Sequence, residues 1–195
     1  MPLLESRASG SALAYGLNSF ISNSGFESLY TYSVASGGVS SINIPVPDGF
    51  KSLQLRCLHK TNRTGSLDGL KMTFNSDTAN NYSKQYMYAT GTATTGFTQN
   101  QQGYIQIDSS TASGQNANHF GVSIVDIFGY SDTGMFTTTR NLGGVSEDDG
   151  TGSQEVDWEG GVWASTAKVA SIQITPYLGT LISQYSKFYL YGIRG

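Results

Sequence analysis

Six acids fall within thirteen residues of this chain: Glu147, Asp148, Asp149, Glu155, Asp157 and Glu159. Carboxylates this close can do two kinds of chemistry. A pair set about 5–10 Å apart beside a saccharide groove can cleave a glycosidic bond, one acting as acid and the other as base or nucleophile. Oxygen ligands gathered in a loop can instead hold calcium, and Asp148, Asp149 and Asp157 are the candidates. Trp158 and Trp163 lie beside these acids and are candidate ligand-facing platforms for a sugar ring. A solvated acidic loop explains the same composition with no ligand, so all three readings stay open from the residues.

Other constellations are poorer in chemistry. His59 and His119 are the two histidines, and no spacing brings them together; His59 falls at a strand end, where exposure is ordinary. No Gly-x-Ser-x-Gly elbow, glycine-rich phosphate loop or Cys/His cluster with zinc spacing occurs. No catalytic residue and no cofactor is therefore assigned, and the expectation is a non-enzyme. Asp77, with Asn75 and Asn80, offers calcium ligands, but short polar side chains bonding to nearby backbone account for the same residues. Tyr86, Tyr88, Tyr189 and Tyr191 alternate along strands and supply large contact areas suited to core or subunit packing. Cys57, the single cysteine, alternates with Leu53 and Leu55 and reads as a small buried hydrophobe.

The elements that must position these residues are strands. The 195 residues include 24 glycines, 4 prolines, 12% aromatics and 13% charged residues, a profile of many turns and a polar, weakly charged surface. Residues 53–57 and 70–74 alternate with period two. Residues 29–35 and 39–44 flank Gly37-Gly38 and predict a hairpin. Residues 91–102, 109–118 and 141–158 read as long polar loops. The apolar run 120–130 changes phase midway and predicts a central strand or a bulge. About eleven short strands and no helical period predict an all-β, antiparallel β-sandwich, jelly-roll-like, over residues 28–195.

Residues 1–27 differ: Leu, Tyr and Phe are scattered among Gly, Ser and Asn with no period, which predicts an irregular arm. Leu3, Leu4, Leu13, Tyr15, Leu17 and Phe20 are its candidate anchoring or interface contacts. Net charge is −3 with a pI near 5.2, and no basic stripe is present to hold a phosphate backbone, so nucleic acid is not an expected partner. No apolar run approaches the roughly 18 residues of a membrane span, so no membrane is expected either, and the N-terminus lacks a signal-peptide layout.

Four pieces in order carry a resemblance: the opening Met1-Pro2-Leu3-Leu4 with Arg7-Ala8-Ser9-Gly10-Ser11-Ala12; Phe74-Asn75-Ser76-Asp77-Thr78 with Asn81-Tyr82-Ser83; Ile127-Phe128-Gly129-Tyr130-Ser131-Asp132-Thr133; and Phe188-Tyr189-Leu190-Tyr191-Gly192-Ile193. The chain resembles small structural proteins of tailed bacteriophages, especially marine and cyanobacterial ones, whose module recurs as head decorations, head fibres and tail-fibre domains. Members often have Gly where this chain has Ser76. The resemblance implies a virion-surface location, the major capsid protein or other virion proteins as partners, and a symmetric homo-oligomer, with a trimer favoured. A capsid decoration protein anchored in part by the N-terminal arm is the leading expectation. A tail- or head-fibre module touching host-surface glycans through the long loops is the alternative, with a glycan hydrolase third.

Overall fold

The computed structural model describes residues 25–91, 93–146 and 154–194. The six candidate anchor residues of the arm, together with Asp148 and Asp149, lie outside them. The described chain is all-β: β1 (Phe26–Ser33), β2 (Ile42–Pro45), β3 (Ser52–His59), β4 (Leu67–Phe74), β5 (Tyr82–Ala89), β6 (Thr94–Gln102), β7 (Ile105–Thr111), β8 (Gly121–Phe128), β9 (Thr137–Ser146), β10 (Gln154–Trp163), β11 (Ser171–Pro176) and β12 (Lys187–Ile193). They form two open antiparallel sheets, one ordered β1-β12-β3-β8-β9-β10-β5-β6 and the other β2-β11-β4-β7.

The pairing is nested. β1 pairs with β12 and β2 with β11; β3 lies between β12 and β8, and β4 between β11 and β7. The quartet β1-β12-β3-β8 against β2-β11-β4-β7 is a long hairpin rolled on itself, the jelly-roll arrangement. The strands β9–β10 and β5–β6 then widen the first sheet beyond β8. Apolar side chains from both sheets fill the interior of the roll: Leu53, Leu55, Val125, Ile127, Phe188 and Leu190 from one, Ile44, Leu70, Met72, Phe74, Ile172 and Ile174 from the other.

Several expectations need correction. Gly37 and Gly38 do make a turn at positive φ, but β1 and β2 enter different sheets, because a rolled hairpin sends successive strands to alternate layers. Residues 94–102 are β6 and not a loop; the strand is polar because it is the edge of the wider sheet and most of its residues are exposed. Residues 109–111 complete β7, residues 141–146 belong to β9 and residues 154–158 to β10. β8 is central, between β3 and β9, but has no change of phase: Val122, Ile124 and Phe128 all face outward and Ser123, Val125 and Ile127 inward.

The corner between β4 and β5 is held by Asp77. Asn75 and Ser76 take positive φ (53° and 57°), the region that favours glycine. Asp77 Oδ1 accepts from the Ala79 amide at 2.9 Å, and Oδ2 accepts from Asn81 Nδ2 and Trp163 Nε1 at 2.8 Å each. Bonds from Asn81 and Ala79 hold the carboxyl below its usual range. The Tyr82 hydroxyl accepts from the Phe74 amide at 3.0 Å and donates to the Asp77 carbonyl at 3.1 Å. Asn75 Oδ1 accepts from the Ala170 and Ser171 amides. These side chains are spent on backbone and on Trp163, as turn chemistry requires. Asp77→Ala strands the buried indole N–H and is expected to cost about 2–3 kcal/mol, read as a lower urea midpoint; an unchanged midpoint would remove Asp77 from this role.

Candidate functional site

The acids of β10 are placed by strand alternation. Glu155, Asp157 and Glu159 share the inner face, while Val156 and Trp158 share the outer one. Asp157 and Glu159 are buried, at 0% and 3% exposure. Gly143 on β9 lies opposite Asp157 and makes the room: a Cβ there would meet the Asp157 carboxylate at 2.6–2.7 Å.

Among the described residues one lysine serves this interior cluster. Lys84 Nζ on β5 lies 2.5 Å from Asp108 Oδ2 and 3.4 Å from Glu159 Oε1, and 4.0 Å from the centre of the Tyr86 ring. Gln106 Nε2 donates to Asp108 Oδ1, and Asn141 Nδ2 donates to Asp157 Oδ1 at 3.2 Å. Asp157 Oδ2 and Glu159 Oε2 have no protein donor if both acids are ionised; a proton on one of them supplies it. Burial, reinforced by Asp108 and Glu155 and opposed by Lys84, pushes Asp157 up to about 7. Burial raises Glu159 as well, opposed by Lys84 and reinforced by Asp108 and Asp157.

This geometry separates residues that the sequence placed together. The buried acids and Trp158 project to opposite faces of one sheet: Asp157 lines no groove beside Trp158, and Glu159, which borders that groove, is only 3% exposed. Asp157 faces Asn141 in the interior, so it is not an exposed loop ligand for calcium; among the described residues no group of three or more acids, histidines or cysteines is arranged to hold a metal ion. Trp163 is not ligand-facing: it is 2% exposed, stacked on Tyr82 at 6.2 Å and packed against Phe74 at 5.6 Å. His59, expected at an exposed strand end, is buried with Nε2 2.9 Å from Ser123 Oγ, and burial lowers its pKa to about 4. Cys57 is buried as expected, and burial pushes its thiol up. Tyr86 and Tyr88 stack at 6.2 Å beside Phe97, and Tyr191 lies under the Arg56 guanidinium at 5.0 Å.

Trp158 is the candidate the structure leaves open to a ligand, at 57% exposure. It belongs to a cross-strand row on the outer face of the wide sheet: Arg56, Ile124, Leu142, Trp158, Met87 and Gly96. Val122 and Val156 stand in the next row, and Phe128 on the far side. Between them runs a polar row of Gln54, Asp126, Arg140, Gly160 and Gln85. Arg56 Nε donates to Gln54 Oε1 (2.7 Å), Gln54 Nε2 to Asp126 Oδ1 (2.8 Å), and Arg140 Nη2 to Asp126 Oδ2 (2.5 Å). Sequence reasoning missed Arg140, Gln85, Lys84 and Asp108; the inverted alternation of β10, with acids at one parity and Val156 and Trp158 at the other, was the available signal.

Comparison with protein-family models, curated proteins and solved structures finds no match to this chain.

The interior acids set a pH dependence. A carboxyl raised by folding contributes stability that is complete below its unfolded pKa, about 4, and is lost as pH rises through its folded value. His59 has the opposite sign, so the two are separated by comparing wild type with Asp157→Asn, in which His59 is common. The variant is expected to gain on wild type by roughly 2 kcal/mol between pH 5 and pH 8, measured by urea unfolding; parallel pH profiles would show that Asp157 does not carry the effect.

Proposed function

We propose that this chain is a non-enzymatic structural protein on the surface of a tailed-phage particle, acting as a capsid decoration protein anchored in part by its N-terminal arm. The observation that carries the reading is the outer face of the wide sheet. Val122, Ile124, Leu142 and Val156 stand exposed on three adjacent strands, Val122 at 51% and Val156 at 59%. Contiguous apolar surface of this kind marks an interaction site. The major capsid protein is the proposed partner, and a symmetric trimer the proposed state. Binding only to assembled heads would stabilise them by mass action.

The test mixes purified protein with phage heads assembled without it and images them by cryo-EM. Density repeated over the head lattice is expected, with occupancy falling at least tenfold for the double substitution Val122→Asp with Val156→Asp. Both positions are solvent-facing, so that variant is expected to keep the wild-type circular dichroism. Density at a single vertex or at the tail, or none, would overturn the decoration assignment.

A further inference from the structure

We infer that the groove beside Trp158 is a binding site for a neutral oligosaccharide. It opens where two glycines replace side chains on the outer face: Gly160 opposite Gln85, and Gly96 opposite Met87. Nothing lies within 4 Å of a Cβ built at Gly160. The missing side chains leave a groove of about 640 Å³ walled by Gln85, Met87, Thr94, Arg140 and Trp158, within the size range of small-molecule sites. A second groove of about 380 Å³, lined by Gln54, Ile124, Asp126 and Leu142, shares Trp158 and Arg140 with the first. Two hollows meeting at the same indole and guanidinium suit successive units of a chain more than a single compact ligand.

The chemistry of the walls selects the ligand class. The indole offers a flat, electron-rich face to the weakly positive C–H face of a sugar ring. Gln85 presents both donors and acceptors, and Arg140 has five N–H donors, of which the bonds to Asp126 from Nε and Nη2 use two. Hydroxyls, which donate and accept, match such groups. Asp126 offsets the Arg140 charge, and the carboxylate of Glu159, on an adjoining strand position, is turned into the interior. The groove therefore presents no uncompensated cation to recruit a phosphate or sulfate. A purely aliphatic ligand would bury Gln85 and Arg140 without partners, which is costly. The platform is also rigid: Trp158 is paired on both sides by β9 and β5, so little ordering remains to be done on binding.

The second groove shares Ile124 and Leu142 with the apolar face of the particle reading, but Val122 and Val156, the positions substituted to test that reading, line neither groove, so the two can fail separately. It is tested on the full-length protein with neutral hexaoses of glucose, xylose and mannose, immobilised on an array and then titrated in solution. Intrinsic fluorescence reports directly, because Trp163 is buried and Trp158 is exposed. Binding of at least one hexaose with a change in tryptophan emission is expected. Trp158→Ala is expected to weaken it more than tenfold, and Gln85→Ala several-fold, with both variants keeping the wild-type urea midpoint. Absence of binding to every hexaose, undiminished binding by Trp158→Ala, or binding confined to sulfated glycans or to liposomes would each overturn it.

Discussion

The wide end of this sandwich depends on one ammonium group. Lys84 reaches into the space under β9 and β10 and meets Asp108 and Glu159 there, with Asp157 beside them. Removing charges from water costs several kcal/mol per ion, and attraction repays it only where geometry and further hydrogen bonds are good. Among the described residues one cation faces these three acids, and burial with that incomplete compensation raises the Asp157 and Glu159 carboxyls. The consequence reaches the opposite surface. Because the inner positions in the middle of β9 and β10 are given to Thr139, Asn141, Asp157 and Glu159, the neighbouring apolar residues Leu142, Val156 and Trp158 occupy outer positions, while Val145 and Trp163 still face inward. The polar interior and the apolar exterior are two sides of one strand alternation.

That inversion also explains what could be read in advance. Strands with ordinary polarity, such as β3 and β4, were legible because their apolar residues alternate toward the core. The jelly-roll class followed from strand count, turn residues and the lack of helical period. Residues 141–146 and 154–158 were misread because acids and glycines ordinarily mean solvent, and among the described residues it is Lys84, nearly sixty positions from Asn141, that offsets the buried acids. The same distance hid His59 and its contact with Ser123. β6 was missed for the opposite reason: an exposed edge strand has no buried face to impose a period. Of the two tryptophans, sequence could not say which faced solvent; one residue of register decides it, since Trp158 and Trp163 differ by an odd number of positions.

The two sheets are unequal, and the inequality has a function in packing. β7 is the last strand of the narrower sheet and lies against β8, β9, β10 and β5. Beyond that cover, Tyr86, Tyr88 and Phe97 close the overhanging inner face with their own ring stack. An uncovered sheet margin is a liability for unintended pairing, and here the exposed margin is polar β6, rich in Thr, Gln and Asn.

The nested strand order fixes when the molecule can be completed during synthesis. Phe26 pairs with Ile193 and Ile44 with Ile172, so the first two strands have no partners until the last two have been made. Local hairpins such as β9–β10 can form early, but closing the roll must await β12 and bear the entropy of joining distant segments. Until then the apolar faces of β3 and β4 lack half of their cover, and apolar surface exposed in this way makes a partly folded chain prone to association.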